Sequence, residues 1–200
     1  MPYLIVIAGP NGAGKSTAAP GLLDGLLGIE DFVNADVIAR GLSAFNPEGA
    51  AIQAGRIKLE RVRELAAEGK DFAFETTLAS RSFAPWIAKL RNEQGYVFRL
   101  NYLWIPGPEL SIGRIKGRVR DGGHFVPDDV VRRRYAGGLR NFFELYQPIA
   151  DIWRVFDNSE RGEREMRLVA YGESNGRVEV YDDHTWERIR GDKPDDSKTT

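Results

Sequence analysis

A short apolar run that leads into a glycine-rich loop is the feature that constrains this chain most. Residues 4–8 read Leu-Ile-Val-Ile-Ala, and a continuous apolar run of this length predicts a strand buried on both faces of a sheet. Residues 9–16 read Gly-Pro-Asn-Gly-Ala-Gly-Lys-Ser, which fits the Walker A pattern of a phosphate-binding loop (P-loop). A helix is predicted from Lys15 to about Leu27. This strand–loop–helix order is the context that the pattern requires, and a glycine-rich turn without a ligand is the alternative.

The chemistry of this loop fits a nucleoside triphosphate. Its glycines let the backbone wrap an anion with N–H groups pointing inward, and the helix N-terminus adds partial positive charge. Lys15 is suited to bridge the β- and γ-phosphates, Ser16 to ligate magnesium and Thr17 to contact the α-phosphate. We therefore expect ATP and Mg²⁺ as cofactors, with a nucleotide site in the loop made of Gly9, Asn11, Gly12, Ala13, Gly14, Lys15, Ser16 and Thr17.

Strand and helix signals alternate along the first 160 residues. With helices between them, the remaining predicted strands cover residues 31–34, 71–75, 96–105 and 152–156. This alternation predicts one α/β domain: a kinase-like P-loop NTPase core over residues 1–160, with a mostly parallel five-stranded sheet and helices on both faces. The expected C-terminal extension, residues 161–190, contains a β-hairpin turned at Asn175-Gly176 and a small strand at 184–189. Residues 191–200 are expected to be a disordered tail.

Composition argues against several classes of protein. The 200 residues carry 28 Lys and Arg against 29 Asp and Glu, so no overall positive field draws the chain to nucleic acid or to an anionic membrane. The chain has no cysteine, which excludes disulfides and thiolate metal sites and suits a cytoplasmic location. The apolar run near the N-terminus is too short to span a membrane, and we expect no signal peptide.

Two acids follow the strands that are expected to flank the P-loop strand. Because the carboxyl ends of parallel strands share one edge, Asp36 and Glu75 are both expected to face the γ-phosphate. Asp36 suits a base beside a bound alcohol, and Glu75 suits magnesium or substrate contact. The alternatives are a helix N-cap for Asp36 and a solvated strand end for Glu75. A GTPase is disfavoured because its Asn-Lys-x-Asp motif is missing, since no asparagine is followed by lysine. The Leu-Ser-Gly-Gly-Gln signature of ABC ATPases is also absent.

Positive charge concentrates in a segment that we interpret as a lid, residues 108–134. Seven basic residues oppose three aspartates between positions 114 and 134, a local net charge of +4. Two helices joined at Gly122-Gly123 are expected to close over the phosphates, and a solvated helix face is the alternative. The basic residues are Arg114, Lys116, Arg118, Arg120, Arg132, Arg133 and Arg134.

Several short motifs together resemble the zeta toxin family of P-loop kinases, in particular its short branch, often labelled predicted ABC-type ATPase. The resemblance covers residues 3–160. It rests on Gly-Pro-Asn-Gly-Ala-Gly-Lys-Ser-Thr at 9–17, Asn-Ala-Asp at 34–36, Glu-Thr-Thr-Leu at 75–78, Gly-Gly-His-x-Val-Pro at 122–127 and Asp-Asn-Ser at 157–159. In P-loop kinases the last of these positions holds the adenine ring, which places Asn158 in the nucleotide site, and a plain turn is the alternative.

The resemblance implies ATP-dependent phosphorylation of a hydroxyl group on a nucleotide sugar, UDP-N-acetylglucosamine in the family. It also implies a small antitoxin partner that blocks the nucleotide site. Carried over by position, Asp36 is the base, Arg118 and Arg133 join Lys15 in stabilising the transferred group, and the acceptor is held by Asp36, Glu75, Thr76 and Arg81. Two other functions stay open: an RNA- or DNA-end kinase that uses the lid as a strand groove, and a non-catalytic ATP-binding partner protein.

Overall fold

Seven strands form a single sheet in this computed structural model, which describes residues 1–24, 29–44, 49–120, 125–160 and 166–191. The strands are β1 (Tyr3–Ala8), β2 (Phe32–Val33), β3 (Phe72–Thr76), β4 (Val97–Trp104), β5 (Ile152–Asp157), β6 (Arg167–Glu173) and β7 (Val178–Val180). Their order in the sheet is β2-β3-β1-β4-β5-β6-β7. The first five are parallel, whereas β6 and β7 join antiparallel. The predicted α/β fold is confirmed, and the hairpin extends the same sheet.

Helices connect the parallel strands, as the alternation predicted. They are α1 (Lys15–Asp24), α2 (Ala35–Leu42), α3 (Ala51–Ala67), α4 (Phe83–Gln94), α5 (Gly107–Arg120), α6 (Asp128–Asn141) and α7 (Asp183–Gly191). A π-helical turn, Phe142–Tyr146, continues α6. The glycine hinge at 122–123 lies outside the described residues, as do residues 192–200 of the expected tail. No helix in the described ranges combines the length and apolar character needed to cross a bilayer.

The predicted strand at residues 184–189 is wrong, because these residues lie in α7. The side chain of Asp182 accepts a hydrogen bond from the backbone N–H of Thr185 at 2.9 Å, which is the geometry of a helix N-cap. Trp186 and Ile189, three residues apart, are buried on one side of the helix. Spacing of three rather than two is the helical signal in this segment.

The central position of β1 determines where the P-loop lies. Residues 4–8 are completely buried, as the continuous apolar run predicted. Gly9 follows with φ +141°, and a Cβ atom there would lie 2.3 Å from the carbonyl oxygen of Leu103 in β4. Only glycine fits this close approach of two backbones. The chain therefore leaves the sheet between β3 and β4, and the loop sits at the carboxyl edge shared by three strands.

Candidate functional site

The ammonium group of Lys15 is the buried centre of the candidate site. The side chain is 6% exposed, and its Nζ donates a hydrogen bond to the carbonyl oxygen of Pro10 at 2.9 Å. The same Nζ lies 3.6 Å from Oε1 of Glu75 at the end of β3. Burial lowers the pKa of Lys15, while the negative charges of Glu75 and Asp36 oppose this shift and the positive charge of Arg118 adds to it. Asp36 and Arg118 therefore lie within electrostatic reach of the lysine.

Glu75, at the end of β3, links the P-loop to the segment that follows β2. Its Oε2 accepts hydrogen bonds from Ser16 Oγ at 2.7 Å and from Asn34 Nδ2 at 2.8 Å. Asn34 Nδ2 also lies 3.2 Å from Ser16 Oγ. Two polar side chains from different parts of the sequence thus converge on one oxygen of Glu75, and Lys15 lies beside the other. Glu75 is not a solvated strand end, because its carboxylate is bound on all these sides.

Asn34, rather than Asp36, is the N-cap of α2. The side-chain oxygen of Asn34 accepts from the backbone N–H groups of Asp36 at 2.8 Å and Val37 at 3.4 Å. The N-cap expectation for Asp36 is therefore wrong, since the residue two positions earlier already satisfies the first turn. Asp36 lies in that first turn, where it is exposed and does not cap the helix.

Lys58 in α3 is a charged residue of the site that sequence reasoning missed. It is 8% exposed, its Nζ donates to the backbone carbonyl of Glu75, and it lies 5.0 Å from the ring centre of Phe74 and 5.3 Å from that of Phe83. Burial lowers its pKa to about 8, an effect that Glu75 opposes and Lys15 increases. The available signal was a lysine at helical spacing within the buried stripe Ala54, Lys58, Val62 and Leu65.

The loop after β3 holds the proposed acceptor residues in a constrained backbone. Thr76 Oγ1 accepts from the N–H of Leu78 at 3.1 Å, and Leu78 has φ 56°, a left-handed conformation that is uncommon for a branched apolar residue. Two side chains from the α6 region support the loop. Asn141 Nδ2 donates to the carbonyl of Leu78, and the Tyr146 hydroxyl donates to that of Ser80, both at 2.7 Å. Neither supporting residue was expected from the sequence.

The basic residues of the lid differ in burial and in their partners. Arg114 is buried, with contacts described below, whereas Arg132 pairs with Glu109 at 2.9 Å within the lid. Arg118 and Arg133 are exposed. Arg81 is also exposed, and the side chains of Arg81 and Arg133 form no hydrogen bond or ion pair with the described residues. The local +4 is therefore partly used inside the protein, and the roles of Arg81 and Arg133 stay predictions.

The loop fits a nucleotide with a divalent cation. Gly12 and Gly14 have φ +74° and +81°, the left-handed conformations of an anion-binding backbone concavity. The exposed hydroxyl of Ser16 is the group that would hold Mg²⁺ together with the phosphates of ATP. Within the described residues, no three His, Asp or Glu side chains form a metal cluster. Asn11 Oδ1 is a buried acceptor with no partner among them.

These features define a P-loop nucleotide-binding protein with the fold of P-loop kinases. Residues 4–145 match the AAA domain family, and the chain belongs to that family. A protein of Haemophilus influenzae described only as uncharacterized is 34% identical over 131 residues, covering 66% of this chain and 91% of that relative.

Two solved structures share the fold at low identity. One is a chain of the AvrRxo1-ORF1:-ORF2 complex with ATP, with a TM-score of 0.73 and 17% identity, aligned over 98% of this chain and 65% of the other. This chain thus spans just under two thirds of that structure. The second is a chain of the PezAT toxin-antitoxin system of Streptococcus pneumoniae, with a TM-score of 0.65 and 18% identity over 99% of this chain and 82% of the other. The kinase-like fold expected from the zeta toxin resemblance is confirmed.

Proposed function

We propose that this protein is an ATP-dependent phosphotransferase that moves the γ-phosphoryl group of ATP to a hydroxyl group of a small molecule. The observation that carries the proposal is the network of Lys15, Ser16 and Glu75 at the carboxyl edge of the sheet, centred on the buried ammonium of Lys15, with the exposed carboxylate of Asp36 within electrostatic reach. A nucleotide-binding protein without transfer chemistry needs the loop but not a second acid beside it.

In the proposed reaction, each residue of the network acts on one part of the transfer. Lys15 exchanges its contact with the Pro10 carbonyl for the β- and γ-phosphates, and Ser16 releases Glu75 to hold Mg²⁺, which neutralises phosphate charge when bound. The oxygen of the acceptor hydroxyl attacks the γ-phosphorus, and Asp36 accepts the proton that this hydroxyl loses. The bond from that phosphorus to the bridging oxygen breaks, and ADP leaves. Arg118 offsets charge on the moving group, a role that its effect on the pKa of Lys15 supports.

The acceptor that we propose is a nucleotide sugar such as UDP-N-acetylglucosamine, held by Asp36, Glu75, Thr76 and Arg81. The zeta toxin resemblance of residues 34–36 and 75–78 supports this choice. We further propose a cytoplasmic location and a small antitoxin protein as partner. The S. pneumoniae chain with the same fold, which belongs to a toxin-antitoxin system, supports the partner.

The direct test is to incubate the protein with γ-labelled ATP, Mg²⁺ and a panel of nucleotide sugars, nucleosides and oligonucleotides. We expect label in a nucleotide sugar and in no oligonucleotide. Label only on oligonucleotide ends would replace the acceptor with RNA or DNA, and label in no product despite ATP binding would leave a non-catalytic nucleotide-binding protein.

A further inference from the structure

We propose that Arg114 and Asn158 form a brace that holds the P-loop in its anion-binding shape from outside the site. The inference deepens the proposed function, since it takes the P-loop to bind ATP. It gives both residues a role other than the one expected from the sequence. Arg114 becomes a positioning residue instead of a lid charge that meets phosphate, and Asn158 acts on the loop backbone instead of on the adenine ring.

The guanidinium of Arg114 connects three backbone carbonyls that are distant in sequence. Its Nη1 donates to the carbonyl of Gly12 at 3.2 Å and to that of Asn158 at 2.9 Å, and its Nη2 donates to the carbonyl of Ser159 at 2.7 Å. The residue is 8% exposed, so these charge-assisted bonds are shielded from solvent. One side chain of α5 thereby links the P-loop to the loop after β5.

Asn158 continues the brace one peptide further along the P-loop. Its Nδ2 donates to the carbonyl of Ala13 at 2.7 Å. Arg114 and Asn158 together hold the carbonyls of two consecutive loop residues, Gly12 and Ala13. Both are bound on the side of the loop that faces α5 and the end of β5.

Holding these carbonyls fixes the direction of the N–H groups that bind phosphate. In a trans peptide the C=O and the next N–H point in opposite directions, so outward carbonyls at Gly12 and Ala13 direct the N–H groups of Ala13 and Gly14 inward. The structure marks the inward side, because the Ala13 N–H and Lys15 Nζ both donate to the carbonyl oxygen of Pro10, at 3.2 and 2.9 Å. Two donors suited to phosphate thus converge on one oxygen.

The glycines of the loop are packed directly against the brace. A Cβ atom on Gly14 would lie 2.5 Å from Asn158 Nδ2, and one on Gly12 would lie 3.2 Å from the Cβ of Arg114. The brace therefore occupies the space that a side chain would need, and it contacts the loop at two of its positive-φ positions, Gly12 and Gly14. A loop supported in this way has less conformational freedom to lose when ATP binds.

The brace also positions a residue of the transfer site. Arg118 follows Arg114 by four residues, so both project from the same face of α5. The positive charge of Arg118 contributes to lowering the pKa of Lys15. Anchoring α5 through Arg114 therefore also fixes the helix from which Arg118 projects.

The experiment compares ATP binding by calorimetry in wild type and the variants Arg114→Met, Arg114→Lys and Asn158→Asp. Asn158→Asp keeps the side-chain volume but replaces the N–H donor with an oxygen that repels the Ala13 carbonyl. We expect Asn158→Asp and Arg114→Met to raise the Kd for ATP about 10- to 100-fold and Arg114→Lys to raise it less. Lys89→Met is the control, since it removes one exposed charge of α4, outside the lid, and is expected to stay within about twofold.

A second measurement separates the brace from general stability. At saturating ATP, Asn158→Asp is expected to keep kcat within about threefold while the KM for ATP rises, because the chemistry is unchanged once the loop is occupied. Arg114→Met is expected to lower kcat as well, through Arg118. A thermal unfolding midpoint is recorded for each variant, and Asn158→Asp is the deciding variant if Arg114→Met does not fold.

The outcomes distinguish the brace from the proposed function. Wild-type affinity for ATP in a folded Asn158→Asp protein would overturn the brace and leave phosphotransfer intact. Weakened ATP binding in the variants, with no transfer by the wild type to any acceptor, would support the brace and overturn the phosphotransferase. A wild-type protein that binds no ATP would overturn both.

Discussion

The nucleotide side and the acceptor side of the site differ in how strongly the fold holds their charged groups. Lys15 and Lys58 are 6% and 8% exposed, and both contact Glu75. Asp36 and Arg81, which we propose for the acceptor side, are exposed. From this difference we expect the donor geometry to exist before any ligand binds and the acceptor to bring the groups on its side into their working positions. Variants on the two sides should therefore behave differently.

The largest effect is expected from Lys15→Met, which removes the central charge of the nucleotide side. Because this lysine serves both phosphate binding and transition-state charge, we expect kcat/KM to fall on the order of 10⁴-fold and ATP binding to weaken. Steady-state kinetics and calorimetry measure the two losses. Wild-type kcat/KM in a folded variant would show that the nucleotide side is not organised around this residue.

The next effect tests whether the acceptor side can be disabled without disturbing the nucleotide side. Asp36→Asn removes the proposed base while keeping the side-chain size, so we expect transfer to fall about 10²- to 10⁴-fold. The Kd for ATP is expected to stay within about twofold, since no hydrogen bond joins the Asp36 side chain to the described part of the P-loop. Transfer by the variant at the wild-type rate would exclude Asp36 as the base.

A third prediction concerns the free-energy cost of burying the charged Lys58, which changes with pH. The folded pKa of Lys58 is about 8 and its ordinary value is 10.5, so the folded state loses this proton first as pH rises. Between pH 8 and 10.5 the unfolded state binds more protons, and the free energy of unfolding therefore increases with pH, by about 3 kcal/mol from this group. Below pH 8 the charged, buried lysine destabilises the fold by the same amount.

Lys58→Met is expected to remove that rise. At each pH we compare the free energy of unfolding of the variant with that of wild type. This difference should favour the variant by about 3 kcal/mol more at pH 7 than at pH 10.5. Denaturant unfolding at both pH values measures it. Lys89→Met, on an exposed lysine of α4, is the matched control and should leave the pH dependence unchanged. If the free energy of unfolding changed equally with pH in wild type and in Lys58→Met, the buried charge of Lys58 would not be the cause of the rise.

The smallest effect is expected from Arg81→Met on the acceptor side. The exposed guanidinium is expected to contribute to acceptor binding alone, so the KM for the labelled acceptor should rise about 10-fold, with the Kd for ATP unchanged. Arg63→Met, on an exposed arginine of α3, controls for the loss of one surface charge. An unchanged acceptor KM would remove Arg81 from the acceptor site.

The correct parts of the sequence interpretation all depend on local pattern. The apolar run at 4–8 was a buried central strand because the side chains on both faces were apolar, which needs no knowledge of distant residues. Segment 184–189 was misassigned because a short apolar pattern fits a strand or a helix, and the cap at Asp182 decided between them. The cap of α2 was misplaced for a similar reason, since Asn34 and Asp36 are both good N-cap residues and only the backbone geometry distinguishes them.

Within the site, the sequence by itself predicted which groups would bind phosphate, and the tertiary structure decided what surrounds them. Lys15 and Ser16 are recognised from spacing because the loop and the helix N-terminus are made by consecutive residues. Lys58, Arg114 and Asn158 come from segments far apart in the chain. Their roles depend on which buried carbonyl each donor meets, a relation between segments that exists only after the sheet and its helices have packed together.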